Sequence, residues 1–98
     1  MNDIMNLFSL NGKNAVVTGA NTGLGQGICV ALAAAGAHVF GVARRSCDET
    51  AAKIAAEGGQ FAEVRADLSD FAAIDSILEQ VHAHADRIDI LVNNAGII

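Results

Sequence analysis

Between a short apolar run, Ala15-Val16-Val17, and a helix-patterned segment opening at Leu24, the chain reads Thr18-Gly19-Ala20-Asn21-Thr22-Gly23-Leu24-Gly25. This is the pattern of a strand, a glycine turn and a helix N-terminus. Exposed N–H groups of a first helical turn and the helix dipole both favour an anion at that point. Glycine suits the turn because a Cβ would collide with a bound phosphate or with the strand the helix packs on. Gly19, Asn21, Thr22, Gly23, Leu24 and Gly25 are therefore candidate ligands for a nucleotide diphosphate. The spacing is G-x-x-x-G-x-G, a longer turn than the G-x-G-x-x-G fingerprint. A glycine cluster alone also joins strands to helices where nothing binds; the flanking strand and helix supply the context that favours a ligand.

The rest of the chain alternates strand and helix patterns with few breaks. Ala15–Thr18 reads as a strand, and 24–35 as a helix with Leu24, Ile28, Ala31, Leu32 and Ala35 along one face. Gly36 stands where a left-handed cap is wanted. A second strand follows at His38–Ala43, rich in Val39, Phe40 and Val42. Residues 48–57 are alanine-rich and helix-prone, closed by Gly58-Gly59, and Gln60–Arg65 reads as a third strand. Ser69 or Asp70 is expected to cap a helix whose apolar face is Phe71, Ile74, Ile77, Leu78 and Val81. Residues 89–93 form a fourth strand around Ile90-Leu91-Val92.

Unbroken apolar strands separated by helices predict an α/β protein with a parallel sheet covered on both faces. Right-handed crossovers then give a Rossmann-type doubly wound sheet of order 3-2-1-4. The fourth strand would be an apolar edge, and such an edge normally pairs further. The expectation is that residues 1–98 are the N-terminal part of a single dinucleotide-binding domain, truncated after the fourth strand.

Composition narrows the classes. The chain is 52% hydrophobic and 17% charged, which suits a globular core rather than disorder. A net charge of −5 argues against non-specific nucleic-acid binding. No apolar run approaches the roughly 20 residues of a membrane span. The first ten residues carry an acid at Asp3 and no basic segment, unlike a signal peptide. Cys29 and Cys47 lack metal or redox spacing, which fits a cytoplasmic setting, with Cys29 read as a small core residue. His82 and His84 lie two apart and share no helix face, so no metal pair is expected.

Three further segments bear on the ligand. The second strand ends in Ala43-Arg44-Arg45, where a dinucleotide site meets the adenosine ribose. A carboxylate there would take the 2′-hydroxyl and repel a 2′-phosphate. Here two guanidinium groups stand instead, suited to a phosphate, though both could be solvated loop residues beside Asp48 and Glu49. Asp67, in Ala66-Asp67-Leu68 after the third strand, could accept from an adenine amino group or cap the local turn. Asn93-Asn94-Ala95-Gly96 ends the fourth strand, with small and amide residues that allow close approach of a ribose and tie neighbouring strands. Gly27, inside the helix pattern, is explained by close helix–sheet packing.

Together these segments resemble the short-chain dehydrogenase/reductase family. Thr18-Gly19-(x3)-Gly23-Leu24-Gly25 is similar to its T-G-x3-G-x-G cofactor motif. Asp67 and Leu68 fall where its adenine-contacting residues do. Asn93-Asn94-Ala95-Gly96 is similar to its N-N-A-G motif, with Asn93, Ala95 and Gly96 beside the cofactor. Phe8-Ser9-Leu10-x-Gly12-Lys13 and the glycine and N-N-A-G segments also resemble the family's sugar-acid enzymes.

The resemblance implies hydride transfer between a nicotinamide and an alcohol or carbonyl carbon. It implies NADP or NAD as cofactor, a small-molecule substrate, and a homo-oligomer when full length. Arg44 favours NADP, whereas the sugar-acid likeness points to NAD. The family's catalysis needs a tyrosine, a lysine and a serine beyond the N-N-A-G motif. The chain has no tyrosine, so no catalytic residue is assigned and the 98 residues alone are expected to be inactive. Two other classes use a similar turn: a non-catalytic nucleotide-binding module, and a Rossmann-like methyltransferase reading Gly23-Leu24-Gly25-Gln26-Gly27. In the latter the glycine run would lie in a loop, whereas here Gly25 and Gly27 fall inside the helix pattern.

Overall fold

A computed structural model describes residues 9–94. Among them the chain runs β1 (Asn14–Thr18), α1 (Gly23–Ala34), β2 (His38–Ala43), α2 (Asp48–Ala56), β3 (Gln60–Arg65), α3 (Ala73–His82) and β4 (Ile90–Val92). The strands form one parallel sheet in the order β3-β2-β1-β4. β1 is thus central, and the reversal of strand order lies between β1 and β4, where open α/β sheets bind ligands beyond the strands' carboxyl ends. The order and the parallel pairing are those expected from the sequence.

Alternate residues of each strand face opposite layers. Ala15, Val17, Val39 and Ala43 form one core with Cys29, Ala33 and Ile54, joined at its edge by Phe61, Ile90 and Val92. Val16, Phe40, Val42 and Val64 form the other with Ile77 and Val81 of α3. Among the described residues, two helices cover the first face and one covers the second.

Both amphipathic faces differ from the sequence expectation. In α1 the buried residues are Gly25, Cys29 and Ala33, spaced by four, with Ile28 and Leu32 only partly buried; Leu24 and Ala31 are exposed. The small residues win because they let the helix axis come close to the sheet, and close packing outweighs the burial of one larger side chain. A Cβ on Gly25 would sit 1.8 Å from the Gly19 carbonyl oxygen. Gly27 needs a correction of another kind. It is exposed, and a Cβ there would meet nothing within 4 Å, so helix–sheet packing does not explain it.

α3 begins later than expected. Residues 67–72 form turns: Asp67 Oδ1 accepts from the Ser69 N–H and hydroxyl, and Asp70 Oδ1 accepts from the Ala72 N–H. Neither Ser69 nor Asp70 is the helix cap; the flanking residue is Ala72, with no side-chain cap. From Ala73 onward only Ala73, Ile77 and Val81 are buried, whereas Phe71 is 96% exposed and Ile74 60%. Ile74, Leu78, Leu68, Ile88 and Leu91 instead line an apolar groove beside β4. No helix among the described residues is long and apolar enough to cross a membrane.

Candidate functional site

The glycine turn leaves β1 at Thr18 and enters α1 at Gly23. Gly19 and Gly23 have φ of 67° and 57°, the left-handed region that glycine adopts without strain. They let the chain turn sharply between β1 and α1. The N–H groups of Gly19 and Ala20 both reach the Val42 carbonyl of β2, at 2.9 and 3.2 Å. They are spent on holding the turn to the sheet. Thr22 precedes the helix in an extended conformation and its side chain makes no cap.

Among the described residues none accepts from the N–H of Asn21, Thr22, Gly23, Leu24 or Gly25. Five successive amides at a helix N-terminus, with no carboxylate in the first turn of α1, form a donor set matched to phosphate oxygens. Gly23 adds room, since a Cβ on it would meet nothing. The residues present therefore fit a dinucleotide's pyrophosphate. Leu24, 73% exposed, stands at the head of α1 beside these amides.

The ends of β1 and β4 are tied together. The Thr18 hydroxyl accepts from the Asn94 N–H at 2.9 Å and approaches Asn93 Oδ1 at 3.3 Å and the Val92 carbonyl at 3.5 Å. The Asn94 side-chain amide donates to the Gly19 carbonyl at 3.4 Å. The expected strand-tying role of the amide residues is present, with Asn93 brought beside Thr18 at the base of the turn. Ala95 and Gly96 lie outside the described residues.

Arg44 and Arg45 are exposed at the end of β2, with no carboxylate before Asp48. The loop they begin is fastened at Cys47, whose N–H donates to Glu63 Oε1, while Glu63 Oε2 pairs with Arg65 at 3.0 Å. Asp67 lies at the neighbouring strand end. Hydrogen bonds from the Ser69 hydroxyl and N–H hold its carboxyl below the usual carboxylate range, and the nearby Arg44 adds to this. Asp67 thus caps its turn through one oxygen and stays charged. Leu68 packs against the Val16–Phe40 core and lines one groove with Thr18 and Asn93.

Two cysteines lie buried in the core near each other. Burial, reinforced by Cys47, pushes the Cys29 thiol up to about 12; burial and Glu63 push Cys47 up to about 11. Both stay protonated and behave as apolar side chains, as expected for Cys29.

Sequence reasoning missed Thr50 and Gln26. Thr50 is fully buried, donates to the Ala20 carbonyl at 2.7 Å and accepts from Gln26 at 3.1 Å. The available signal was its spacing of four from Ile54, which marks both as the inward face of α2.

The comparisons with known proteins agree with this geometry. A family model described as short chain dehydrogenase matches residues 13–98. The 2-dehydro-3-deoxy-D-gluconate 5-dehydrogenase of Dickeya dadantii is 46% identical over 95 residues, covering 97% of this chain and 38% of that protein. A short-chain type dehydrogenase/reductase from Mycobacterium marinum superposes with a TM-score of 0.90 at 39% identity, over 97% of this chain and 39% of that one. A structure from Agrobacterium tumefaciens, assigned as a 2-deoxy-D-gluconate 3-dehydrogenase with bound NADP, has a TM-score of 0.78 at 52% identity, over 93% of this chain and 35% of that one. The chain thus spans well under half the length of the proteins it matches. Its strand order, its turn and the extent of the family match agree: the chain belongs to the short-chain dehydrogenase family.

Proposed function

We propose that residues 1–98 are the N-terminal part of a single dinucleotide-binding domain in an NAD(P)-dependent oxidoreductase acting on an alcohol or carbonyl group of a sugar acid. The observation that carries this reading is the run of amides from Asn21 to Gly25 at the head of α1. These amides would hold the pyrophosphate. Asn93, with Ala95 and Gly96 that follow it in the sequence, would border a ribose of the dinucleotide, and Asp67 with Leu68 the adenine. When bound, the nicotinamide supplies the carbon that gives or takes a hydride. The sequence has no tyrosine, so in this reading the family's catalytic tyrosine is contributed by chain beyond these residues. The sugar-acid assignment draws on the likeness to the Dickeya enzyme.

NADP is the cofactor this reading favours. Arg44 and Arg45 stand where the adenosine ribose would lie, and guanidinium groups bind a phosphate in a bidentate fork. The Agrobacterium neighbour holds NADP. The test is a fluorescence titration of the full-length protein with NADPH and NADH. NADPH is expected to bind more tightly, and Arg44→Ala to weaken NADPH by about tenfold while leaving NADH within about twofold. NADH binding as tight as NADPH would refute the role given to Arg44; failure to bind either would refute the site. Turnover of a sugar acid with NADP by the same protein separates an enzyme from a non-catalytic nucleotide-binding module.

A further inference from the structure

The glycine turn is held from behind by a closed circuit of three hydrogen bonds. Thr50 of α2 is fully buried, and its Oγ1 lies 2.7 Å from the Ala20 carbonyl. A hydroxyl has one proton, so Thr50 donates it to Ala20 and accepts from Gln26 Nε2 at 3.1 Å. The same nitrogen has a second proton, which reaches the Asn21 carbonyl at 3.2 Å. Every donor in the circuit is used. Reversing the Gln26 carboxamide would set its oxygen against the Asn21 carbonyl, so the amide orientation is fixed by the network.

This circuit controls where two amides point. In a planar trans peptide the carbonyl of one residue and the N–H of the next are antiparallel. Drawing the Ala20 carbonyl toward α2 turns the Asn21 N–H the opposite way. Drawing the Asn21 carbonyl toward Gln26 does the same for the Thr22 N–H. These are the first two of the five amides that find no acceptor among the described residues. Four successive peptide planes of the turn are thereby fixed: the Gly19 and Ala20 amides by Val42, the Ala20 and Asn21 carbonyls by Thr50 and Gln26.

We propose that Thr50 and Gln26 are positioning residues for the dinucleotide phosphates. They aim the Asn21 and Thr22 amides at the pyrophosphate and lock the turn to the helix that follows Arg44 and Arg45. The proposal rests on the reading of the turn as a dinucleotide site. It differs from the role of Arg44 in one measurable respect. Arg44 discriminates between NADPH and NADH, whereas a misdirected amide weakens both equally, because both carry the same pyrophosphate.

The experiment uses the full-length protein with Thr50→Val, which keeps the buried shape but removes the hydroxyl, and Thr50→Ser, which restores it. Dissociation constants for NADPH and NADH are measured below each variant's unfolding temperature, and the ¹⁵N–¹H signals of Asn21 and Thr22 are followed during titration. Thr50→Val is expected to weaken both cofactors by about tenfold, with their ratio unchanged, and to abolish the NADPH-induced shifts of the two amides. Thr50→Ser is expected to bind within about twofold of the parent. If Thr50→Val does not fold, Gln26→Met, at a partly exposed position, is expected to weaken both cofactors by about threefold. The proposal is overturned if the folded variants bind both cofactors as the parent does, if serine fails to rescue, or if the Asn21 and Thr22 signals of the parent do not respond to NADPH. A parent protein that binds neither cofactor overturns the site itself, a result distinct from any of these.

Discussion

His38 shows how a single residue links packing to solution behaviour. It opens β2, stacks on Phe40 with ring centroids 4.3 Å apart, and its pKa is lowered from 6.5 by burial and then by His84. The unfolded chain therefore takes up this proton before the folded one does. Stability is complete above pH 6.5 and falls as the pH drops below that value toward the lower folded-state pKa. Chemical denaturation at pH 7.5 and 5.5 is expected to show this loss in the parent and not in His38→Gln; equal slopes in both would assign it to other groups. Asp67 and Asp89 act in the same direction at lower pH. Both carboxyls are lowered below 3.8, Asp67 mainly by Ser69 and Asp89 mainly by the Asn14 N–H, so their contributions persist until the pH falls below that value.

At the scale of elements, α1 separates what periodicity reveals from what packing selects. The helix is apolar on most sides, so a face counted from large residues picks Leu24 and Ile28. The structure buries Gly25, Cys29 and Ala33 instead. Periodicity sees side-chain hydrophobicity, while the sheet selects for small volume where the helix must approach closely. Gly27 lies on the outward side with open space around its Cα. Gly27→Ala is expected to raise stability by about 0.5–1 kcal/mol, read as a higher denaturation midpoint with an unchanged slope. A loss of stability would mean that another element covers this position. α3 carries the converse lesson. Its pattern names five core residues, yet Phe71, Ile74 and Leu78 remain exposed, α3 being the one helix among the described residues on that face of the sheet.

At the scale of the whole molecule, this uncovered face becomes a property of the sheet edge. Leu91 of β4 is 68% exposed and shares the groove with Ile74 and Leu78. Exposed apolar edges of this kind invite association unless they are paired or covered. In the proposed reading, the remainder of the domain covers it. The 98 residues expressed alone are therefore expected to bind a hydrophobic dye, and Leu91→Lys to reduce that signal. The same substitution in the full-length protein is expected to lower the unfolding temperature. A neutral result in both settings would make the groove an ordinary surface.

Local patterns along the chain are enough to read the alternation of strands and helices, the parallel order and the position of the turn. Those features rest on local periods and on glycines whose backbone geometry few other residues adopt. Asp67 and Asn93 were legible as strand-end residues for the same reason. Tertiary structure decided which groups of the turn are spent and which remain. Gly19 and Ala20 give their amides to Val42, Thr50 reaches the Ala20 carbonyl from 30 positions away, and Asn94 meets Thr18 across 76. Such bonds carry no local signature, because a hydroxyl or amide shows its partner only when the chain has brought the two together.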